Sequence, residues 1–487
     1  MYEREHGTAE RENTAAGNIK EEAYMRKPRI GLLGMMLDGY EPIFPGIIQD
    51  RNNYAQELVK DLSPYAEISF EALATNRAEI EETVKRYNCQ ELDGIVMVLF
   101  TYSHSGWIMN AMKKNHLPLA LAILQPDEVM KPEFTEYDFT INQGIHGAQD
   151  NANMLHRLGI PFQVFAGSRK SQRFITFFET FARAAAAYHA LQGMRIAVIG
   201  KMNNMCDVFA DDIGLQQKLG CEYSYEEIGS VRRLMDEVTE DAAQERMAYE
   251  REVFAIDASM TEAVHKDAVI QYLALKKFME QGNFDAITIH FETLGTDGRF
   301  ERLPFLAASN LMADGYGYAA EGDAMCATLM KLAMLACDGQ ATFSEMYAMD
   351  FASGSVLMCH AGEGNWQIAR KDRKPRLIDK VFNEGGLANP PTPLFTPEPG
   401  EATVVSLAYL GHDQYKFVVS HGELLDKCDM RGCEMPYLFF KPDTGLDRCV
   451  EGWLADGGTH HEAVMLGDTR EYFKMLSKMI GVEYVEV

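Results

Sequence analysis

RIGLLGMM, residues 29–36, is a continuous apolar run with no polar alternation. That is the pattern of a strand buried on both faces, as in a parallel sheet covered by helices. A parallel neighbour can be reached only through a crossover, and the chain supplies crossovers at the right places. A helical stretch at 47–62 and a polar helical segment at 76–87 precede the apolar runs DGIVMVLF at 93–100 and 118–123. Alternating strands and helices in this order predict an α/β domain with a parallel sheet over residues 28–190.

Working outward, the pattern restarts after an Ala-rich helix at 174–191. MRIAVIG at 194–200 is a second buried strand, and acidic helices at 231–282 lead to AITIHF at 286–291. A second α/β domain is expected over 191–315. From about residue 315 the composition shifts. A helix of small apolar residues at 323–337 gives way to Gly- and Pro-rich loops at 389–400 and short alternating strands at 402–410, 415–420 and 437–440. The expected fold is therefore α/β: two Rossmann-like domains with parallel sheets, followed by a β-rich (α+β) C-terminal domain over 316–487. Residues 1–27 are polar, rich in Glu and Arg, and lack the apolar stretch of a signal peptide; they read as a disordered arm.

Composition narrows the function. A 487-residue chain with formal net charge −26 lacks the clustered Lys and Arg that neutralise nucleic-acid phosphates. No run is long and apolar enough to span a membrane. Nine cysteines are scattered without a CxxC pair, as expected of ordinary thiols in a reducing cytoplasm. A neutral or cationic small molecule is the expected partner, rather than nucleic acid or membrane.

Groups able to bind a metal come late and in order: Glu321 in AAEGD, Glu345 in TFSEMYAMDF, His360 in LMCHAGEGN, and His460/His461 in ADGGTHHEAV. Each has a plainer reading. Glu321 sits where a loop becomes a helix, a place that favours a carboxylate for structural reasons. Glu345 lies in an apolar-aromatic stretch where a carboxylate is costly unless paired or metal-bound; its plainer reading is an exposed position on one face of that stretch. His360 follows the run SVLMC, at a strand end, where a lone histidine is more often a satisfied structural residue. Neighbouring side chains on an extended segment point opposite ways, so one of His460 and His461 is expected to ligate. Two carboxylates and two imidazoles would suit one divalent ion with positions left for vicinal sugar oxygens. Neither GxxxxGK[ST], a well-placed GxGxxG, nor GxSxG occurs to argue for nucleotide binding or serine hydrolysis.

At these residues the chain resembles the L-arabinose isomerases, within the L-arabinose and L-fucose isomerase group. The resembling blocks are LDGIVMVLFTYSHSGWI (92–108), INQGIHG (141–147), LPFLAASNLMADGYGYAAEGD (303–323), FSEMYAMDF (343–351), LMCH and GGTHH. The resemblance implies a Mn²⁺ site, with Co²⁺ or Mg²⁺ as alternatives, formed by Glu321, Glu345, His360 and His461 (or His460). It implies that Glu321 and Glu345 move a proton between C1 and C2 of an open-chain sugar through an ene-diol, and that Asp323 orients the ligands. Met205 and Phe291 match pocket-lining positions. Gln143 and His146 fall in the family's Asn-Gln-x-x-His-Gly segment, whose histidine enters a neighbouring subunit's site, so a homohexamer or other trimer-based homo-oligomer is expected. Met36 stands where the family places a sugar-contacting glutamine, and Ala324 and Met325 replace a tryptophan and a lysine. Retained ligands with altered sugar contacts imply an aldose–ketose isomerase for a changed sugar; the alternatives are an epimerase on a related or modified sugar and a non-catalytic sugar-binding paralogue.

Overall fold

The computed structural model describes residues 26–202, 204–382 and 386–487. The arm expected at 1–27 lies outside the described residues except for Arg26 and Lys27. Arg26 forks onto Asp93 at 2.6 and 2.9 Å, and Lys27 donates to the Ser63 carbonyl at 2.7 Å.

The first sheet contains β1 (Arg29–Met35), β2 (Glu67–Ser69), β3 (Gly94–Leu99), β4 (Leu119–Ile123) and β5 (Gln163–Ala166). All pairs are parallel and the order is β2-β1-β3-β4-β5. This is a doubly wound arrangement with β1 and β3 at its centre. Every residue of β3 is buried, as the unbroken apolar run requires.

The chain continues with β6 (Arg195–Ile199), β7 (Glu222–Tyr225), the two-residue β8 (Ala255–Ile256), β9 (Ala286–Ile289) and β10 (Gly317–Ala320). Strands β10-β9-β6-β7 form a second parallel sheet. This sheet extends past residue 315, where the shift in composition had suggested a boundary. Small residues in β10 and in the following helix Ala324–Ala336 allow close packing on this sheet: a Cβ at Gly317 would lie 2.4 Å from the Ala327 carbonyl oxygen.

Beyond residue 340 the chain is mostly antiparallel: β11 (Ala341–Asp350), β12 (Ser355–Cys359), β13 (Arg376–Asp379), β14 (Pro391–Leu394), β15 (Gly400–Tyr409), β16 (Tyr415–Leu424), β17 (Tyr437–Pro442), β18 (His461–Leu466) and β19 (Glu483–Glu486). The order β15-β18-β11-β12-β17-β16 closes on itself through β15–β16 pairing, making a six-stranded barrel with β19 added in parallel to β16. Val356, Met358, Val404, Val418, Phe440 and Val464 belong to one buried apolar cluster in this unit. Strands β14-β13-β8 form a small separate sheet. No helix among the described residues is long and apolar enough to cross a membrane.

Candidate metal centre

The site lies where the carboxyl ends of the second parallel sheet meet the barrel. Crossovers leave the carboxyl ends of parallel strands as the place where loops converge, and three of the expected residues are delivered there. Met205 and Asp207 follow β6, Phe291 follows β9, and Glu321 follows β10. The barrel supplies the rest through its register. Glu345 on β11 is paired with His461 on β18 and with Cys359 on β12, and His360 is the next residue after Cys359.

Glu321 has φ 66° and Gly322 φ 82°, a left-handed turn that is costly for a residue carrying a Cβ. Backbone bonds hold it: Glu321 N–H donates to the Ile289 carbonyl at 3.0 Å, and Met202 N–H donates to the Glu321 carbonyl at 2.9 Å. Gly322 is required by proximity as well, since a Cβ there would sit 2.5 Å from the Lys201 Cα. The helix-capping role considered for Glu321 belongs to Asp323, whose Oδ1 accepts from Cys326 N–H at 2.9 Å.

His461 Nε2 lies 3.5 Å from Glu321 Oε2 and 3.5 Å from Glu345 Oε1. His460 Nε2 lies 3.9 and 3.7 Å from the same two oxygens, and His360 Nε2 lies 3.8 Å from Glu345 Oε1. These separations are too long for hydrogen bonds. They match two ligands each about 2.1 Å from a shared ion, which end up roughly 3–4 Å apart. Glu321 Oε2, His460 Nε2 and His461 Nε2 are buried without a hydrogen-bond partner, the condition an ion would relieve. The residues therefore fit a divalent metal ion.

Each imidazole also has its other nitrogen against a carboxylate. His461 Nδ1 donates to Asp323 Oδ2 at 2.9 Å, His460 Nδ1 donates to Asp207 Oδ2 at 2.7 Å, and His360 Nδ1 is 3.0 Å from Glu363 Oε2. Carboxylates so placed fix the ring orientation and leave Nε2 facing the centre. Glu363 is itself anchored by Tyr318 Oη at 3.0 Å. The expectation that His460 and His461 point opposite ways is corrected here: their ring centroids are 4.0 Å apart and both Nε2 atoms face Glu321 and Glu345. Alternation requires both residues to be in the strand, and β18 begins only at His461.

Phe291, Glu321 and His360 line one cavity of ≈ 40 Å³ with Leu303, Phe305 and Phe382, giving the site an apolar wall. Met205 is half-buried beside Asp207. Met36 is not in the site: it is fully buried in the main apolar core, because the apolar run that forms β1 carries it inward. Ala324 and Met325 are likewise buried on the helix after Glu321. Gln143 and His146 make their contacts elsewhere. Gln143 Nε2 donates to Tyr40 Oη at 3.0 Å, and exposed His146 lies on the Tyr102 ring at 4.7 Å between centroids.

Three family models match in tandem: the L-arabinose isomerase N-terminal domain over 38–193, the central domain over 195–339 and the C-terminal domain over 340–483. The chain belongs to the L-arabinose isomerase family. Similar relatives include the L-arabinose isomerase of Anoxybacillus flavithermus, 26% identical over 91% of this chain and 90% of its own length. Those of Geobacillus thermodenitrificans (27%, covering 86% of each) and Pediococcus pentosaceus (29%, covering 89% and 94%) are similar to the same extent. The reaction class of the family is aldose–ketose isomerisation.

Asp207 and Glu363 were not singled out in the sequence, nor was Glu462. Asp207 is held down to about 2, chiefly by its hydrogen bond from His460. Burial pulls the His460 imidazole down, but Asp207 and Glu321 outweigh it and raise it to about 9. Burial, with the Glu345 charge adding to it, pushes Glu462, fully enclosed next to His461, well above the usual carboxylate range. In the metal-free protein the raised His460 contributes stability that is complete below its unfolded value of about 6.5 and is lost as pH rises through 9. The melting temperature of EDTA-treated protein therefore falls between pH 6.5 and 9. An added divalent ion stabilises more as pH rises over the same range, because binding displaces protons from the imidazoles. Thermal scans with and without ion across these pH values check both trends.

Proposed function

We propose that the chain is a Mn²⁺-dependent aldose–ketose isomerase of an L-pentose, deoxyhexose or closely related sugar. The observation that carries this reading is the approach of the His460 and His461 Nε2 atoms to both the Glu321 and Glu345 carboxylates with no hydrogen bonds among them, in two triads that share His461. A mixed oxygen and nitrogen set of this kind suits Mn²⁺ or a similar ion. When bound, the ion would supply Lewis acidity toward the sugar's carbonyl.

The chain's own residues do the rest. Glu345 and Glu321 stand on two sides of the His461 Nε2, so one carboxylate can take the proton from C2 of the open-chain aldose while the other serves O1 and O2. Return of the proton to C1 from the ene-diol completes the ketose, with no net gain or loss of electrons. Asp207, Asp323 and Glu363 keep the imidazoles turned inward, and Phe291, Phe305 and Phe382 exclude water from one side. We further propose that His146 and Gln143, exposed and half-buried on the first α/β unit, complete the sugar site of a second copy in a homo-oligomer.

Turnover of L- and D-aldoses, starting with L-arabinose, by EDTA-treated protein with and without added Mn²⁺ tests the reading. Ketose formed only with the ion supports it. An aldose product would identify an epimerase, and metal binding with no product from any sugar would leave only the sugar-binding alternative.

A further inference from the structure

The geometry points to a second divalent-cation site, made by His421, Glu401 and Asp468 at the opposite end of the barrel from Glu345 and His461. It rests on its own residues and does not depend on the proposed reaction. Asp468 is seven residues beyond His461, which at a strand rise of about 3.3 Å per residue places it on the order of 20 Å away.

Strand register and the adjoining turn bring the three together. His421 on β16 is directly opposite Thr403 on β15. Glu401, two residues before Thr403, is therefore its diagonal neighbour on the same face. The turn carrying Asp468 is fastened to β15 by three bonds: Gly467 N–H to the Glu401 carbonyl at 2.7 Å, Thr403 Oγ1 to the Gly467 carbonyl at 2.8 Å, and Thr469 N–H to Thr403 Oγ1 at 3.0 Å. One ligand atom from each of Glu401, His421 and Asp468 lies within 4.8 Å of the others.

His421 points to a cation rather than a simple surface ion pair. Its side chain is only 10% exposed, although it lies among carboxylates at the surface. Nδ1 donates to Asp443 Oδ2 at 2.7 Å, and Asp443 N–H donates back to the His421 carbonyl at 2.9 Å, so the ring is clamped. That leaves Nε2 facing the acids. It is 3.3 Å from Glu401 Oε1, yet buried and without a hydrogen-bond partner, since the alignment is wrong for one. This is the same carboxylate–imidazole arrangement that each histidine shows in the first site.

Asp468 retains capacity as well. Of about four lone-pair positions on a carboxylate, Oδ1 accepts from Arg470 N–H and Nε at 3.1 and 2.9 Å, and Oδ2 accepts from Arg470 Nη2 at 2.7 Å. One position on Oδ2 remains. One imidazole nitrogen and two carboxylate oxygens, with water completing the shell, suit Zn²⁺ or a similar borderline ion better than Ca²⁺, which prefers oxygen alone. Such an ion would pin the β15–β16 hairpin to the turn that starts the helix Arg470–Ile480.

Titration of EDTA-treated protein with Zn²⁺ alone tests this. Wild type is expected to take two ions per chain, and His421→Ala one, with Mn²⁺-dependent turnover within about twofold of wild type. His461→Ala is expected to keep the second site, and the double variant neither. Glu401→Gln, at an exposed side chain that tolerates change, is expected to weaken the second site by about 10–100-fold and serves if His421→Ala does not fold. One ion in wild type, or equal stoichiometry and affinity in wild type and the variants of this site, overturns the proposal.

Discussion

Glu345→Gln lowers ketose formation by about 10²–10⁴-fold at saturating Mn²⁺, the usual contribution of a positioned acid–base group, and leaves the barrel folded. Glu345 Oε1 is the oxygen that all three imidazoles face, at 3.5, 3.7 and 3.8 Å from the Nε2 atoms of His461, His460 and His360. Glutamine keeps the volume and the strand pairing but removes the negative charge and the basic oxygen. The neighbouring Glu462→Gln is the internal control. Burial pushes that carboxyl toward its neutral form, so glutamine is the closest uncharged replacement, and activity and melting temperature should stay near wild type. Steady-state rates with saturating ion, together with circular dichroism, make the comparison. A Glu345→Gln enzyme within tenfold of wild type would remove this residue from the chemistry.

Glu250→Ala is expected to cost about 3–5 kcal/mol, the penalty for breaking a buried charge network by deleting one member. Glu250 is fully buried and receives Arg246 Nε at 3.0 Å, His265 Nε2 at 2.7 Å and Asn310 Nδ2 at 2.7 Å. Alanine would leave a guanidinium, an imidazole and an amide without their acceptor. The damage should reach the metal centre. Asn310 Oδ1 accepts from Trp366 Nε1 at 3.0 Å, and Ser309 Oγ accepts from Gly364 N–H at 3.1 Å. The helix Phe305–Ala313 is thus the support for the loop that starts at His360. A lower denaturant midpoint accompanied by weaker Mn²⁺ binding is the expected pair of results. An unchanged midpoint would mean that the network is dispensable.

Those two sites differ in how far the sequence revealed them. Unbroken apolar runs such as RIGLLGMM in the first sheet and MRIAVIG in the second have one good solution, a parallel strand under helices, and both parallel sheets were legible from them. Glu321, Glu345, His360 and His461 were legible because their order and local words matched a family. Partners joined only by the fold were not: Asp207 and His460 are 253 residues apart, and Asn310 is 60 from Glu250. Glu363 lies three residues past His360 in the quoted LMCHAGEGN, and a carboxylate between two glycines beside a proposed ligand was an available signal. Only the family resemblance points Met36 toward the sugar, whereas the apolar run it belongs to favours the core, where it lies. Strands as short as β8 carry no periodicity to detect.

Closure of the barrel holds the candidate metal centre in shape without an ion. In an open sheet an outer strand can slip by a residue and re-form its bonds one step along, turning every side chain to the other face. A ring has no free margin, so β18 or β11 could slide only if pairings around the whole circuit parted together. The spacing of Glu345 and His461 is thereby a property of a closed loop rather than of the ion it serves. A divalent ion would meet a seat that keeps its shape, so that loading it would be a matter of diffusion and deprotonation rather than of refolding.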